Sequence, residues 1–232
     1  MKNVVLFFGL FLLVFQVHAQ DGAWKSDDGT TTQWLLISNE AFTWTQYHSG
    51  DGDFVSSIGG LIKEESDGAV FLIEFATMDS TLVGTPQSWG FTRNATGISL
   101  NALATSVTFD QQEEITESPL MGSWLFSGRE RDGEMSRRAT DGPRKTMKIL
   151  TGSRFQWIAY HVTNKRFMGT GGGTYTAVDG VYTENIEFFS RDKTRVGASL
   201  PFQFERKEDE WHHKGKSSKG DPMYEVWSLR EE

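Results

Sequence analysis

Slid along itself by 113 residues without gaps, the chain matches itself at 16 of the 52 positions from Phe42 to Arg93, where chance gives roughly three. The identities include Phe42/Phe155, Trp44/Trp157, Tyr47/Tyr160, His48/His161, Gly59/Gly172, Gly60/Gly173, Glu74/Glu187, Phe75/Phe188 and Arg93/Arg206. Two copies of one unit must therefore fold alike, which restricts the chain to architectures that can be built twice. Each copy also opens alike, with Gly22-Ala23-Trp24 and Gly122-Ser123-Trp124. Those openings are only 100 residues apart, so copy two carries thirteen extra residues within GRERDGEMSRRATDGPRK. The polar join QQEEITESP has linker composition, and the boundary is placed near Ser118, giving repeats at residues 20–118 and 119–232.

Within each copy the apolar period is two. Eight short β-type runs lie between residues 23 and 110, and eight more follow in copy two, separated by Gly, Asp, Asn and Ser turns. No amphipathic helix stands out. This predicts an all-β protein in which each copy is a small antiparallel barrel or sandwich. A barrel has the advantage of leaving no open edges. Gly59-Gly60 and Gly172-Gly173 fall inside strand runs, where glycine marks the bend or bulge that closing a barrel requires.

The start of the chain bounds its location. Lys2 precedes an apolar run over residues 4–15 and the small-residue site Val17-His18-Ala19, the pattern of a secretory signal over residues 1–19. The run is too short to span a bilayer, and no later stretch approaches the roughly 18 to 20 residues of a membrane helix. The expectation is an exported protein, periplasmic or secreted. It has no cysteine, so neither disulfides nor a lipid-bearing cysteine can support it. Cleavage would remove Lys2 and take the net charge from −8 to −9. An acidic chain with scattered cations lacks the basic face that nucleic acid needs. An outer-membrane barrel is disfavoured too, because the strands lack an apolar outward band and the chain ends Arg230-Glu231-Glu232.

Gly-x-Trp on the first strand, eight successive strands and Arg230 after Trp227 on the last resemble the calycin or lipocalin pattern. The segments KILTGSRFQWIAY and GTGGGTY, between residues 148 and 175, are similar to secreted, lipocalin-like bacterial proteins. The resemblance implies two tandem eight-stranded antiparallel lipocalin-like barrels related by internal duplication, able to hold a small ligand. It further implies that Trp124 and Arg230 pack together and close one barrel end.

Residues kept in both copies, such as His48/His161 and Glu74/Glu187, read either as satisfied buried polar groups or as lumen residues acting as acid, base or anchor. By strict alternation each Glu lies on the strand face opposite its neighbouring Phe. Differences between copies say more. Trp211 and His213 align with Ile98 and Leu100, so an apolar face has gained an indole and an imidazole, either as a polar pocket or as an aromatic girdle at the rim. GTGGGT lacks the Lys-Ser/Thr and helix of a phosphate loop, SGDGDF lacks most calcium ligands, the histidines show no zinc spacing, and no Gly-x-Ser-x-Gly elbow is present. No cofactor, metal or catalytic residue is assigned.

Three functions stay open. One is a binding protein whose second barrel takes a small apolar or carbohydrate-like molecule, with Trp157, Tyr160, Tyr175 and Trp211 stacking and His161, Glu187 and His213 fixing orientation. The second is an isomerase, lyase or hydrolase using Glu187 with His161 or His213 as acid and base. The third is a structural or interaction role in the cell envelope. The arginine-rich insert suggests a lid in which Arg137 and Arg138 draw an anionic or polar ligand group to the barrel mouth. Ligand identity and oligomeric state are not encoded in any motif.

Overall fold

The computed structural model describes residues 21–114, 118–216 and 220–231; the expected signal segment at residues 1–19 lies outside them. The described chain is two closed eight-stranded antiparallel barrels in tandem. The first is formed by β1 (Gly22–Asp27), β2 (Thr31–Ser38), β3 (Ala41–His48), β4 (Phe54–Glu65), β5 (Gly68–Ala76), β6 (Pro86–Arg93), β7 (Gly97–Ala102) and β8 (Thr105–Gln111). Each strand pairs with the next, and β1 closes on β8 through Trp24↔Gln111. Among the described residues no helix is long and apolar enough to cross a membrane.

The second barrel repeats the scheme with β9 (Gly122–Arg131), β11 (Arg144–Leu150), β12 (Arg154–His161), β13 (Arg166–Val178), β14 (Val181–Phe189), β15 (Ser199–Lys207), β16 (Glu210–Lys216) and β17 (Pro222–Leu229), closed by β17 on β9. The insert adds one element, β10 (Glu134–Arg137), which folds back on the outer half of β9 with Arg137 opposite Gly128. A hairpin thus extends the barrel wall where an arching lid was expected. A second departure lies before β6 and β15. There a short 3-10 turn, Ser80–Leu82, interrupts the all-strand pattern, and Lys193–Arg195 repeats it. Asp79 and Asp192 each cap that turn by accepting from the backbone N–H of Thr81 and Thr194, which is why both aspartates and threonines recur.

The paired glycines mark bulges. Ile73 and Phe75 pair with Gly60 and Gly59, so Glu74 is the extra residue; Ile186, Glu187 and Phe188 repeat this against Gly173 and Gly172. A Cβ on Gly60 would lie 2.0 Å from the Leu72 carbonyl oxygen, and one on Gly173 2.0 Å from that of Asn185, so no other residue allows this approach. The bulge corrects the alternation argument. Ile73 stays in the core of the first barrel, whereas Phe75 turns out to the junction between barrels, where Glu74 also points.

That junction explains much of the repetition. The Tyr47 hydroxyl donates to Glu187 Oε2 at 2.8 Å, and its counterpart Tyr160 donates to Glu74 Oε2 at 2.6 Å. Tyr47 stacks on Phe188 with ring centroids 5.1 Å apart, and Phe75 meets Tyr160 at 5.2 Å. The barrels therefore exchange equivalent contacts about an approximate two-fold axis. Each carboxylate also receives a two-pronged guanidinium, from Arg154 to Glu187 and from Arg230 to Glu74. These arginines are not repeat equivalents. Leu36, Met147, Ile149 and Ile158 fill the apolar remainder, and Thr45 donates to Gln156, which donates to Ser57.

The barrel-closing pair differs from the expected Trp124–Arg230. Arg230 is adjacent to the first strand through its backbone N–H, which donates to Ser123, but its guanidinium goes to Glu74. Arg206 lies over the Trp124 ring instead, at 5.2 Å, and its repeat partner Arg93 lies over Trp24 at 4.6 Å. The arginine that pairs with the first-strand tryptophan belongs to the sixth strand of each barrel.

Candidate functional site

Strand register allows the two barrel interiors to be compared position by position. Leu35 and Lys148 sit opposite the repeat partners Trp44 and Trp157. Phe71 and Glu184 sit opposite Ile62 and Tyr175, and Leu100 and His213 opposite Phe91 and Phe204. In the first barrel Leu35, Phe71 and Leu100 are fully buried in one apolar cluster with Phe109 and Ile73. In the second barrel the same three positions carry an ammonium, a carboxylate and an imidazole. An apolar plug has been replaced by polar groups, and a cavity of about 620 Å³ opens beside them.

The cavity opens at the barrel end where β9 and β16 finish and β11 and β17 begin. Its apolar walls come from Phe126, Trp157, Ile186, Phe189, Phe202 and Trp227. Below them Lys148 Nζ donates to Glu184 Oε1 at 2.7 Å and sits 4.8 to 5.1 Å from the ring centroids of Trp211, Tyr182 and Trp227. The Tyr182 hydroxyl also donates to Glu184. The buried ion pair is thus enclosed by ring faces whose negative quadrupoles favour the ammonium, with desolvation opposing it. Burial pushes the Tyr182 hydroxyl well above its usual pKa.

His213 lies edge-on to Phe202 with centroids 4.3 Å apart and beside Trp211. Burial, assisted by the Lys148 charge, holds its imidazole pKa well below the usual value, so it is neutral at pH 7. Neither ring nitrogen has a hydrogen-bond partner, and the same holds for the indole N–H groups of Trp211 and Trp227. Unpaired buried donors are rare because each forfeits the hydrogen bond it made to water. The four nitrogens of His213, Trp211 and Trp227 lie in and beside one cavity wall.

The rim is cationic. Arg129, Arg131, Arg138, Arg144 and Arg195 line the cavity with Lys148 and Lys216, against only two carboxylates, Glu184 and Glu225. Arg129 is ion-paired to Glu225 and Lys148 to Glu184. Arg138 is half-buried over the Phe126 ring at 6.0 Å, its charged form disfavoured by desolvation and then by Arg144.

Among the residues singled out by sequence, Trp157 and His213 line this cavity, as does Arg138. Trp211 lies beneath the floor, fully buried. Tyr175 is core: its hydroxyl donates to the Thr151 carbonyl at 2.6 Å and its ring packs on Tyr182. Tyr160 and Glu187 belong to the junction between barrels. His161 is at a turn, where Nδ1 accepts from the Asn164 N–H. Arg137 faces outward and is ion-paired to Glu210, because successive residues of a strand point to opposite sides. The envisaged acid–base couple of Glu187 with His161 or His213 is not assembled, since Glu187 is committed to Arg154 and Tyr47 and does not line the cavity. Lys148, Glu184, Glu225, Arg129 and Arg195 were missed. The comparison that singled out His213 contains the missing signal for three of them, at Leu35/Lys148, Phe71/Glu184 and Leu82/Arg195.

No protein-family model and no curated protein matches the chain.

Proposed function

We propose that this is an exported, lipocalin-like binding protein that takes up a small amphipathic molecule in the lumen of its second barrel, with the first barrel as a filled scaffold. The observation that carries this reading is the cavity of about 620 Å³ at the positions where the first barrel is plugged by Leu35, Phe71 and Leu100. That volume lies in the range of small-molecule sites, roughly 300 to 1,000 Å³, and the mixture of aromatic walls with a few convergent polar groups is typical of them. The ring faces of Trp157, Phe189 and Trp227 suit an apolar body, and His213 with the Trp227 N–H suits an oxygen atom on it. The filled lumen of the first barrel makes a purely structural role natural for that half.

Native mass spectrometry of the full chain, purified without detergent, tests the reading. A small molecule retained by the wild type and lost when Ile186 is replaced by Trp, which fills the cavity, is the expected result. Failure of the wild type to retain any molecule, joined to failure to bind any member of the amphiphile series described below, overturns it.

A further inference from the structure

We infer, building on that binding reading, that the ligand is an anionic amphiphile whose carboxylate or phosphate head is held at the cavity mouth by Arg138 and Arg144, with its apolar body directed inward along Trp157 and Phe202. Three properties of the cavity lining carry this.

The first is charge. Seven cationic side chains and two carboxylates line the cavity, in a chain whose net charge is −8. A lining of that sign on a protein of the opposite sign focuses anions at the mouth. The second is pairing. Among the described residues, Arg129 and Lys148 already hold Glu225 and Glu184, while Arg131, Arg138, Arg144 and Lys216 have no carboxylate within ion-pair distance. Elsewhere in the second barrel guanidinium groups do meet carboxylates, as in Arg154 with Glu187 and Arg137 with Glu210. The Arg138 and Arg144 charges oppose one another, and neither has a carboxylate partner among the described residues, the arrangement that an exogenous anion completes.

The third is depth. The exposed cations lie at the rim, and the buried floor is neutralised by its own Lys148–Glu184 pair. A head placed at the floor would meet Glu184 and Glu225, so the anion belongs at the rim and the apolar body below it. The unpartnered His213 nitrogens and Trp227 N–H, in the buried wall, independently show a lumen with hydrogen-bonding capacity that the protein does not use.

A headgroup series at constant chain length tests the inference: decanoate, decyl phosphate, decanol and decyltrimethylammonium, titrated into the full chain at low and high salt and followed by tryptophan fluorescence and calorimetry. The expected result is that one or both anions bind at least about tenfold more tightly than decanol, the ammonium binds weakest, and the anion advantage shrinks as salt rises. Which anion leads separates a carboxylate from a phosphate ligand. The double variant Arg138→Gln/Arg144→Gln should bring the anion-to-alcohol ratio towards one, whereas Arg137→Gln, on the outer face, should leave it intact. Decanol binding as tightly as both anions overturns the anionic class while leaving the binding reading in place. An anion advantage that survives the double variant overturns the assignment of the head to these arginines. Binding of no member of the series overturns this inference, and it removes the binding reading as well only when native mass spectrometry also finds no retained molecule.

Discussion

The Glu74 carboxylate of the first barrel receives both terminal nitrogens of Arg230 from the end of the second, at 2.8 and 2.9 Å, and the Tyr160 hydroxyl at 2.6 Å. Burial opposes ionisation of Glu74, but these donors outweigh it and hold its pKa below the usual carboxylate value. Since the folded pKa lies below the unfolded one, the stabilisation is complete above the unfolded value and is lost as pH falls through the folded one. Arg230→Met leaves the carboxylate buried and under-compensated. The expected loss is about 3–5 kcal/mol, read by urea unfolding at pH 7, with much of it recovered by Arg230→Met/Glu74→Gln. A loss below about 1 kcal/mol in the single variant would show that water or another cation compensates Glu74.

The bulge glycines give a second test. Because a Cβ at residue 173 would lie 2.0 Å from the Asn185 carbonyl oxygen, Gly173→Ala must shift backbone and disturb the positions of both Glu187 and Phe188. We expect a destabilisation well above about 1 kcal/mol, the scale that backbone-incompatible Gly→Ala changes exceed. Gly180→Ala, at a turn where the nearest heavy atom is 3.8 Å from the built Cβ, serves as the comparison. Since Gly180 itself has φ +77°, equal thermal shifts would mean that the close approach at Gly173 costs no more than a left-handed turn glycine.

How far the sequence could be read depends on which interactions repeat. The barrels were legible because two-residue periodicity and the 113-residue offset are local and additive, and the paired glycines announced the bulges. Glu187 and Tyr160 were misread as lumen residues for a physical reason: a bulge cancels alternation, and a pseudo-symmetric junction conserves the same residues that a duplicated binding site would. Arg230 was misassigned because composition at the end of a strand does not reveal whether a long side chain folds back on its own barrel or crosses to the next. The site itself lay in the mismatches between copies. His213 was found that way, while Lys148 and Glu184 went unnoticed because they lie on strands that were read only for their identities.

His213 provides a pH test. Its folded pKa lies well below the usual 6.5, so between those values the unfolded state binds the additional proton and stability falls as pH drops below about 6.5. One such group contributes up to about 1.4 kcal/mol per pH unit across that window. His213→Leu, which installs the first barrel's Leu100, should flatten this part of the stability profile relative to wild type. Parallel profiles from pH 7 to pH 5 would show that His213 is protonated in the folded protein.

The difference between the two lumens predicts a reciprocal effect of filling the second. Lys148 and Glu184 are both nearly fully buried, so Lys148→Leu alone leaves the Glu184 carboxylate buried without its cation and held by the Tyr182 hydroxyl, and about 3–5 kcal/mol should be lost. Adding Glu184→Phe gives the second barrel the residues found at these positions in the first, where Leu35 and Phe71 pack without exposure. Buried ion pairs replaced by well-packed apolar residues commonly leave a protein as stable as before or about 1–4 kcal/mol more so. The double variant should therefore recover the loss, while the affinity for anionic amphiphiles falls because the floor of the cavity is raised. Urea unfolding and the headgroup titration measure both quantities on the same sample. If the double variant is no more stable than Lys148→Leu, the two interiors are not interchangeable, and the polar groups of the second barrel are needed for its packing rather than retained for a ligand.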